Sequence, residues 1–166
     1  IKDYTYMDRA QLVQTDIHHG LDSTLKIFAG RLKHGVVLQR EYDRSIPRIC
    51  AHVGQLNQVW TNLFDNALHA IAEPSEHGQP GRLQIRTRLE PKDAVIEITD
   101  NGVGIPAEAA PRIFDPFFTT KAQGEGTGLG LDTVYQIIRQ HKGNITFESE
   151  PGNTTFIVRL PLRQSQ

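Results

Sequence analysis

The sequence predicts a two-layer α/β sandwich, a mixed and mostly antiparallel sheet with helices on one face. Three observations lead there. Helical and extended stretches are interleaved without a regular strand, helix, strand rhythm. Two extended stretches joined by the turn-like "PKD" read as a hairpin, which an all-parallel sheet excludes. One helix carries an apolar stripe too wide to face water. At 166 residues the chain is one domain by length, able to bury about two thirds of its unfolded surface without staples.

Taken in order, Thr15 is the expected cap of a helix from Asp16 to about Lys33, with Leu21, Leu25 and Phe28 on one side. "VVLQREYD" alternates as a strand, Val36, Leu38, Arg40 and Tyr42 on one face and Val37, Gln39, Glu41 and Asp43 on the other. The helix from Gly54 to Ala72 is the most strongly patterned element. Leu56, Val59, Trp60, Leu63, Phe64, Ala67, Leu68 and Ile71 recur at alternating gaps of three and one and must lie on a sheet or core. "EPSEHGQPG" is a polar loop. The hairpin strands are Arg82 to Glu90 and Ala94 to Asp100. A short helical segment follows "NGVGIP", then the unpatterned "FDPFFTTKAQGEGTG", a helix from Gly128 to His141, and strands Asn144 to Ser149 and Asn153 to Leu160 around the turn "EPG". There is no internal repeat and no dividing linker.

Eighteen basic and nineteen acidic side chains give a formal charge of -1. That offers no general attraction to nucleic acid or to an anionic membrane, so any phosphate binding is local. The single cysteine, Cys50, excludes an internal disulfide and fits a reducing compartment; a cytoplasmic location is expected. No apolar run approaches the roughly 20 residues that span a bilayer, and "IKDYTYMDRAQ" lacks a signal-peptide pattern, so no membrane contact by this segment is expected. Ile1 is not a start methionine. The chain is read as a piece of something longer, with residues 1–14 as the end of an upstream helix, 15–162 as the domain and 163–166 as a tail.

Several polar residues do not belong to the core. Asn62, Asn66 and His69 sit at i, i+4 and i+7 and share one face beside the apolar stripe. Asparagine is a mediocre helix former, and two readings stand. The face is simply solvated, or it lines a cleft with amide oxygens and an imidazole, an asparagine oxygen being a hard ligand suited to Mg²⁺ that shares its shell with phosphate and water. Asp100 in "DNGVGIP" is either a strand-ending turn residue or a carboxylate that accepts from the exocyclic amine of a base, with glycines letting backbone pass close to the ring. "GEGTGLG" is not a dinucleotide-binding fingerprint, because no strand leads straight into it. Glycines before a helix start nonetheless supply what phosphate needs: bare backbone N–H groups and the positive end of the helix dipole.

The order of these stretches says more than any one of them. "NLFDNALHA", "DNGVGIP", "IFDPFFTTK", "GEGTGLGL" and "PGNTTF" resemble, in that order, the N, G1, F, G2 and G3 boxes of the sensor histidine kinase catalytic and ATP-binding domain. That domain belongs to the GHKL superfamily with gyrase-like, heat-shock-chaperone-like and mismatch-repair-like ATPases. The resemblance covers about Thr15 to Pro161 and implies the Bergerat ATP-binding fold, with ATP and Mg²⁺ as ligands. It implies that Asn66 binds the Mg²⁺ bridging the phosphates, with Asn62 one turn earlier beside the triphosphate. Asp100 would hydrogen-bond the adenine amine, Gly102 and Gly104 would shape the base pocket, and Ile105, Phe114 and Thr154 would contact the nucleotide. Gly126, Thr127, Gly128, Leu129 and Gly130 would cradle phosphates. Phe114 to Gly124 resembles the ATP lid, with Phe117 and Phe118 as apolar anchors; Lys121 either reaches a phosphate or is a solvated lid lysine. Two departures stand out. His69 occupies a position where the family often has lysine, and can donate to phosphate in its place. "PGNTTF" puts Asn153 where a second glycine is common, which bears on Gly152, Thr154 and Thr155 as adenine-side contacts.

Within the superfamily, hydrolysing members typically carry a general-base glutamate one turn before the magnesium asparagine. Here that position is Asn62, and an amide takes no proton. Transfer to a histidine imidazole needs no such base, because a neutral ring nitrogen is already a nucleophile. The resemblance therefore implies a kinase acting on a histidine of an upstream hairpin, with a response-regulator receiver domain as further partner. Asn62, Asn66 and His69 form its catalytic set. Neither His18 nor His19 fits the phosphoacceptor pattern, since "HHGLDST" puts Gly20 and Leu21 where other residues are wanted, and both read as ordinary helix-face histidines. His34, His52, His77 and His141 sit near predicted element ends or in loops and are likewise read as ordinary histidines. Residues 1–14 would be the remnant of the hairpin's second helix. Two other readings remain, an ATP-binding regulatory module without transfer and a slow ATPase.

Overall fold

The computed structural model describes residues 12–72, 78–116, 118 and 130–163. Strand β1 (Leu12–Thr15) leads into helix α1 (Ile17–Ile27) and the single turn α2 (Ala29–Leu32). Strands β2 (Val36–Glu41) and β3 (Ile49–His52) precede the long helix α3 (Val53–Ala72). Then come β4 (Gly81–Leu89), β5 (Asp93–Asp100), a 3-10 turn at Ala110–Arg112, helix α4 (Gly130–Gln140), β6 (Asn144–Glu150) and β7 (Asn153–Pro161). The main sheet has the order β2-β4-β5-β7-β6. Its β2–β4 pair is parallel and its other pairs are antiparallel, the β4–β5 pair being the hairpin around "PKD".

Alternation along the strands decides which face is covered. Leu83 and Ile85 of β4, Ile96 and Ile98 of β5, and Phe156, Val158 and Leu160 of β7 are buried on one side. Against them lies the stripe of α3, with Leu56, Val59, Trp60, Leu63, Phe64, Ala67 and Leu68 all buried. Each such side chain contributes about 1.5–3 kcal/mol when fully removed from water. Helices α1 and α4 flank α3 and extend the same core through Ile17, Leu21 and Leu25 and through Val134, Ile137 and Ile138.

The opposite face carries charge in place of helices. Arg86 pairs with Glu41 at 3.0 Å, Arg88 with Glu97 and Glu90, and Arg159 with Glu90 at 3.2 Å. Arg86 and Glu41 are exposed and the others half-buried; surface pairs contribute about 0–1 kcal/mol each, and their use is to keep the face wet. Val95 lies on that side yet is fully buried. Its register partners are Arg88 and Arg159, whose aliphatic stems can cover it.

The first helix differs from expectation at both ends. Its cap is Asp16, which accepts from the backbone N–H of His18 at 2.9 Å and of His19 at 3.4 Å. Thr15 instead closes β1, its hydroxyl donating to Val13 O. The helix stops at Ile27 because Phe28 leaves helical geometry and buries its ring edge-on against Phe64. Leu12–Thr15 are extended and pair antiparallel with β3, so residues 12–14 of the expected upstream helix lie in a strand; residues 1–11 fall outside those described. Both strands of this small sheet are four residues long, too short for alternation to announce them.

Asp16→Ala is expected to lower stability by about 1 kcal/mol, read from urea denaturation through fluorescence of Trp60, the chain's one tryptophan. Retention of full stability would mean that the cap does not anchor α1.

Candidate functional site

The interleaving of β5, β7 and β6 brings three polar side chains onto adjacent strands at one end of the sheet. Asp100, the last residue of β5, lies opposite Thr154 of β7, which in turn lies opposite Ser149 of β6. Asp100 and Thr154 are each 3% exposed. Thr154 and Ser149 share a hydroxyl hydrogen bond of 2.7 Å, and the backbone N–H of Ile105 donates to Ser149 Oγ at 2.8 Å. Thr155 falls on the other face, bonded to Thr99 at 2.8 Å, and is thereby removed from the candidates around Asp100.

The loop after Asp100 is pressed between a helix and a turn. A Cβ on Gly102 would stand 2.5 Å from the carbonyl carbon of Ala70 in α3, so only glycine allows this approach. Gly104 has φ +87° and would meet Glu150 O at 2.9 Å. Gly102 O accepts from the N–H of Gly152 at 2.9 Å, which fastens the "NGVGIP" loop to the "PGNTTF" turn. Asn101 completes the seam by accepting from Arg82 N and donating to Pro80 O.

The Asp100 carboxylate is dry and sparsely bonded. The Gly102 N–H donates to its Oδ1 at 2.9 Å and is its one side-chain hydrogen bond among the described residues. Burial pushes its pKa up to about 6, with the Gly102 bond pulling weakly the other way. A carboxylate kept in such a place suits a ligand that brings its own donor.

Asn62, Asn66 and His69 line one edge of α3 as the spacing predicts. Asn62 is committed at both ends of its amide: Nδ2 donates to Gly130 O at 2.9 Å and Oδ1 accepts from Gln58 at 2.6 Å. It ties α3 to the first residue of α4. Asn66 is half-buried and carries no side-chain hydrogen bond among the described residues. His69 Nδ1 is buried without a hydrogen-bond partner, its nearest carboxylate being Asp65 at 3.7 Å. Asp132, in the first turn of α4, also buries an oxygen without a hydrogen bond. Sequence reasoning passed over Asp65, Asp132 and Ser149; only the acidic first turn of α4 was a readable signal for one of them.

Phe114 packs within an aromatic cluster, its ring 5.4 Å from Tyr135, 6.0 Å from Phe147 and 6.5 Å from Phe156. Phe118 receives the Arg112 guanidinium over its ring at 4.9 Å. Lys121, Gly126, Thr127, Gly128 and Leu129, with Phe117 and Gly124, lie outside the described residues. His18 is buried with Nε2 2.8 Å from Thr87 Oγ1. His141 is buried too, its Nε2 accepting from the backbone N–H of His52 at 3.1 Å. Among the described residues no three His, Cys, Asp or Glu gather as a metal site, and no helix is long and apolar enough to cross a membrane.

The profile of the family described as histidine kinase-, DNA gyrase B- and HSP90-like ATPase matches residues 51–164. Among curated relatives, the sensory histidine kinase/phosphatase NtrB of Vibrio alginolyticus is 33% identical over 159 residues, covering 90% of this chain and 44% of the relative. The sensor kinase CckA of Brucella abortus is 38% identical over 157 residues, covering 89% of this chain and 16% of the relative. The chain thus spans less than half the length of either. Among solved structures, the catalytic domain of histidine kinase ThkA superposes with a TM-score of 0.79 at 28% identity, covering 92% of this chain and 96% of that one. ThkA in complex with the response regulator TrrA gives 0.74 at 25% identity, covering 91% and 42%.

Two outcomes follow from the geometry. Because the folded pKa of Asp100 lies above its unfolded value of 3.8, the folded state holds the extra proton between those values, and the group's contribution to stability falls as pH rises through about 6. Asp100→Asn should therefore be more stable than the unaltered chain by up to about 3 kcal/mol at pH 8, the gap closing by pH 4. Urea denaturation at both pH values reads this, and a gap independent of pH would contradict it. Gly102→Ala should cost about 1–3 kcal/mol by forcing the loop off Ala70, measured in the same way; a neutral substitution would show that the close approach is not held in solution.

Proposed function

The chain belongs to the family of histidine kinase-, DNA gyrase B- and HSP90-like ATPases, and from that premise we propose that it is the ATP-binding kinase core of a two-component sensor histidine kinase. It would transfer the γ-phosphoryl of Mg-ATP to a histidine on an upstream hairpin. The observation that carries this reading is Asn62. It stands one turn before Asn66, where a hydrolysing member would hold its proton acceptor, and both ends of its amide are spent on Gly130 and Gln58. An imidazole acceptor needs no base to become nucleophilic.

In this reading Asp100 accepts from the adenine amine through the carboxylate edge that Gly102 leaves free, and Thr154, Ile105 and Gly104 frame the base. Phe114 supports that wall from its aromatic cluster. The start of α4 at Gly130 would face the phosphates, and Gly126, Thr127, Gly128, Leu129 and Lys121 would supply the donors that the resemblance implies. Mg²⁺ fits the donor set that remains: the Asn66 amide oxygen is without a hydrogen bond among the described residues, and a single hard oxygen is what an ion sharing its shell with phosphate and water requires. When bound, the ion would neutralise charge on the β- and γ-phosphates. Asn66 would hold it, Asn62 would keep α3 and α4 in register, and His69 would donate to a phosphate oxygen. A response-regulator receiver domain would be the downstream partner and the cytoplasm the location. The resemblance to ThkA, a structure of which contains a response regulator, supports that pairing.

The test uses γ-labelled ATP, Mg²⁺, this chain and the segment encoded upstream of it, produced separately. Label moving to that segment in an acid-labile, base-stable bond is expected. Sustained phosphate release without transfer would favour a slow ATPase, and binding with neither would leave a regulatory module. Asp100→Ala should weaken Mg-ATP binding at least about tenfold with the fold intact by Trp60 fluorescence; unchanged affinity would remove the pocket assignment.

A further inference from the structure

The asparagine face of α3 carries a charged residue that the reading above leaves unused. At 3.6 residues per turn, Asp65, Asn62, His69 and Asn66 fall within an arc of about 100°. Asp65 Oδ1 accepts from Arg31 Nη1 of α2 at 2.8 Å, and Asp65 Oδ2 stands 3.7 Å from His69 Nδ1, one turn further along. The His69 side chain is 34% exposed although Nδ1 itself is buried. Its exposure therefore falls on the rest of the ring, where Nε2 meets no hydrogen-bond partner among the described residues.

We propose that Asp65, braced by Arg31, is a positioning residue that holds the His69 ring with Nδ1 turned inward and Nε2 turned out toward the polyphosphate. The proposal rests on the nucleotide reading of the preceding subsection. A lysine at this position needs no such help, because its ammonium donates in three directions from a flexible stem. An imidazole turns about two bonds and offers a nitrogen on only one outward edge. Burying Nδ1 without a hydrogen bond is unfavourable, and half a turn of the ring would relieve it; the fixed carboxylate 3.7 Å away is the group that favours the observed orientation. Arg31 has a second effect. It offsets a negative charge that would otherwise stand beside the phosphates.

The alternative is an exposed ion pair that serves only the helix, and a double-mutant cycle separates the two. Affinities for Mg-ATP and for adenosine are measured by calorimetry on the unaltered chain, Asp65→Ala, His69→Ala and the double variant. Asp65→Ala and His69→Ala should each weaken Mg-ATP binding about fivefold and leave adenosine binding unchanged, and the double variant should lose no more than His69→Ala alone. Adding Asp65→Ala to His69→Lys should cost nothing further. Equal loss of both ligands, no loss of either, or additive losses in the double variant would overturn the role of Asp65. Asp65→Asn, which keeps the side chain's size and removes the charge that holds Nδ1, should weaken Mg-ATP selectively too in the presence of His69 and not in its absence, and decides the matter if Asp65→Ala fails to fold by Trp60 fluorescence. An unaltered chain that binds neither ligand would overturn the proposed function itself, whereas intact Mg-ATP binding indifferent to Asp65 would overturn only this inference.

Discussion

The burial of α3 on the sheet is the constraint from which the rest follows. Seven of its side chains are buried, spread over about half the helix circumference, and that leaves the helix no freedom to rotate. Its remaining arc, turned away from the sheet, must then carry Asn62, Asp65, Asn66 and His69, directed by the core and not by any ligand. The same fixed helix presents the Ala70 carbonyl on which Gly102 rests, so the loop that follows Asp100 is seated by the core as well. The candidate site is thus a consequence of packing: its polar residues occupy the helix face that the apolar stripe leaves over.

Burying the Asp100 carboxylate has a stability cost. Asp100 sits in a dry position with a single backbone donor, and its desolvation opposes folding at neutral pH. The hydroxyls beside it are better satisfied, Ser149 serving Ile105 and Thr154 together. The outer face of the sheet shows the contrasting regime, where Arg86, Arg88, Arg159 and their glutamates keep some contact with water and pair with one another. Charge is cheap on one side of the sheet and expensive on the other, and the proposed binding site is on the expensive side.

What was legible in the sequence was what local patterning specifies. The stripe of α3, the hairpin around "PKD" and the mixed sheet were readable because each signal spans at least one full element. The asparagine edge was readable for the same reason, since helical spacing alone puts Asn62 and Asn66 together. Strands β1 and β3 were not, because four residues each give no period and their pairing joins distant parts of the chain. The cap was misread by one residue, Thr15 for Asp16, because two good capping residues stand side by side and only the strand pairing of Thr15 chooses between them. Gly102 against Ala70, Asn62 against Gly130 and Arg31 against Asp65 are contacts between remote segments, and no spacing rule announces them. The ordered glycine and asparagine stretches pointed to the site earlier than geometry did, while the divergence of Thr154 and Thr155 to opposite faces needed the register of β7.

The pairing of Asp100 with Thr154 also bears on how the molecule assembles. The wall proposed to face the base has no local version: one half lies at the end of a hairpin strand, and the other arrives only after α4 and β6 have been laid down. Pairings between distant segments close late in folding, because the entropy of loop closure precedes their reward. A partly folded chain with α3 and the β4–β5 hairpin in place would have Asp100 beside Leu83 of β4 but without Thr154 of β7 on its other side. Nucleotide would then favour the finished native state alone over every intermediate before it, so that occupancy also certifies that folding is complete.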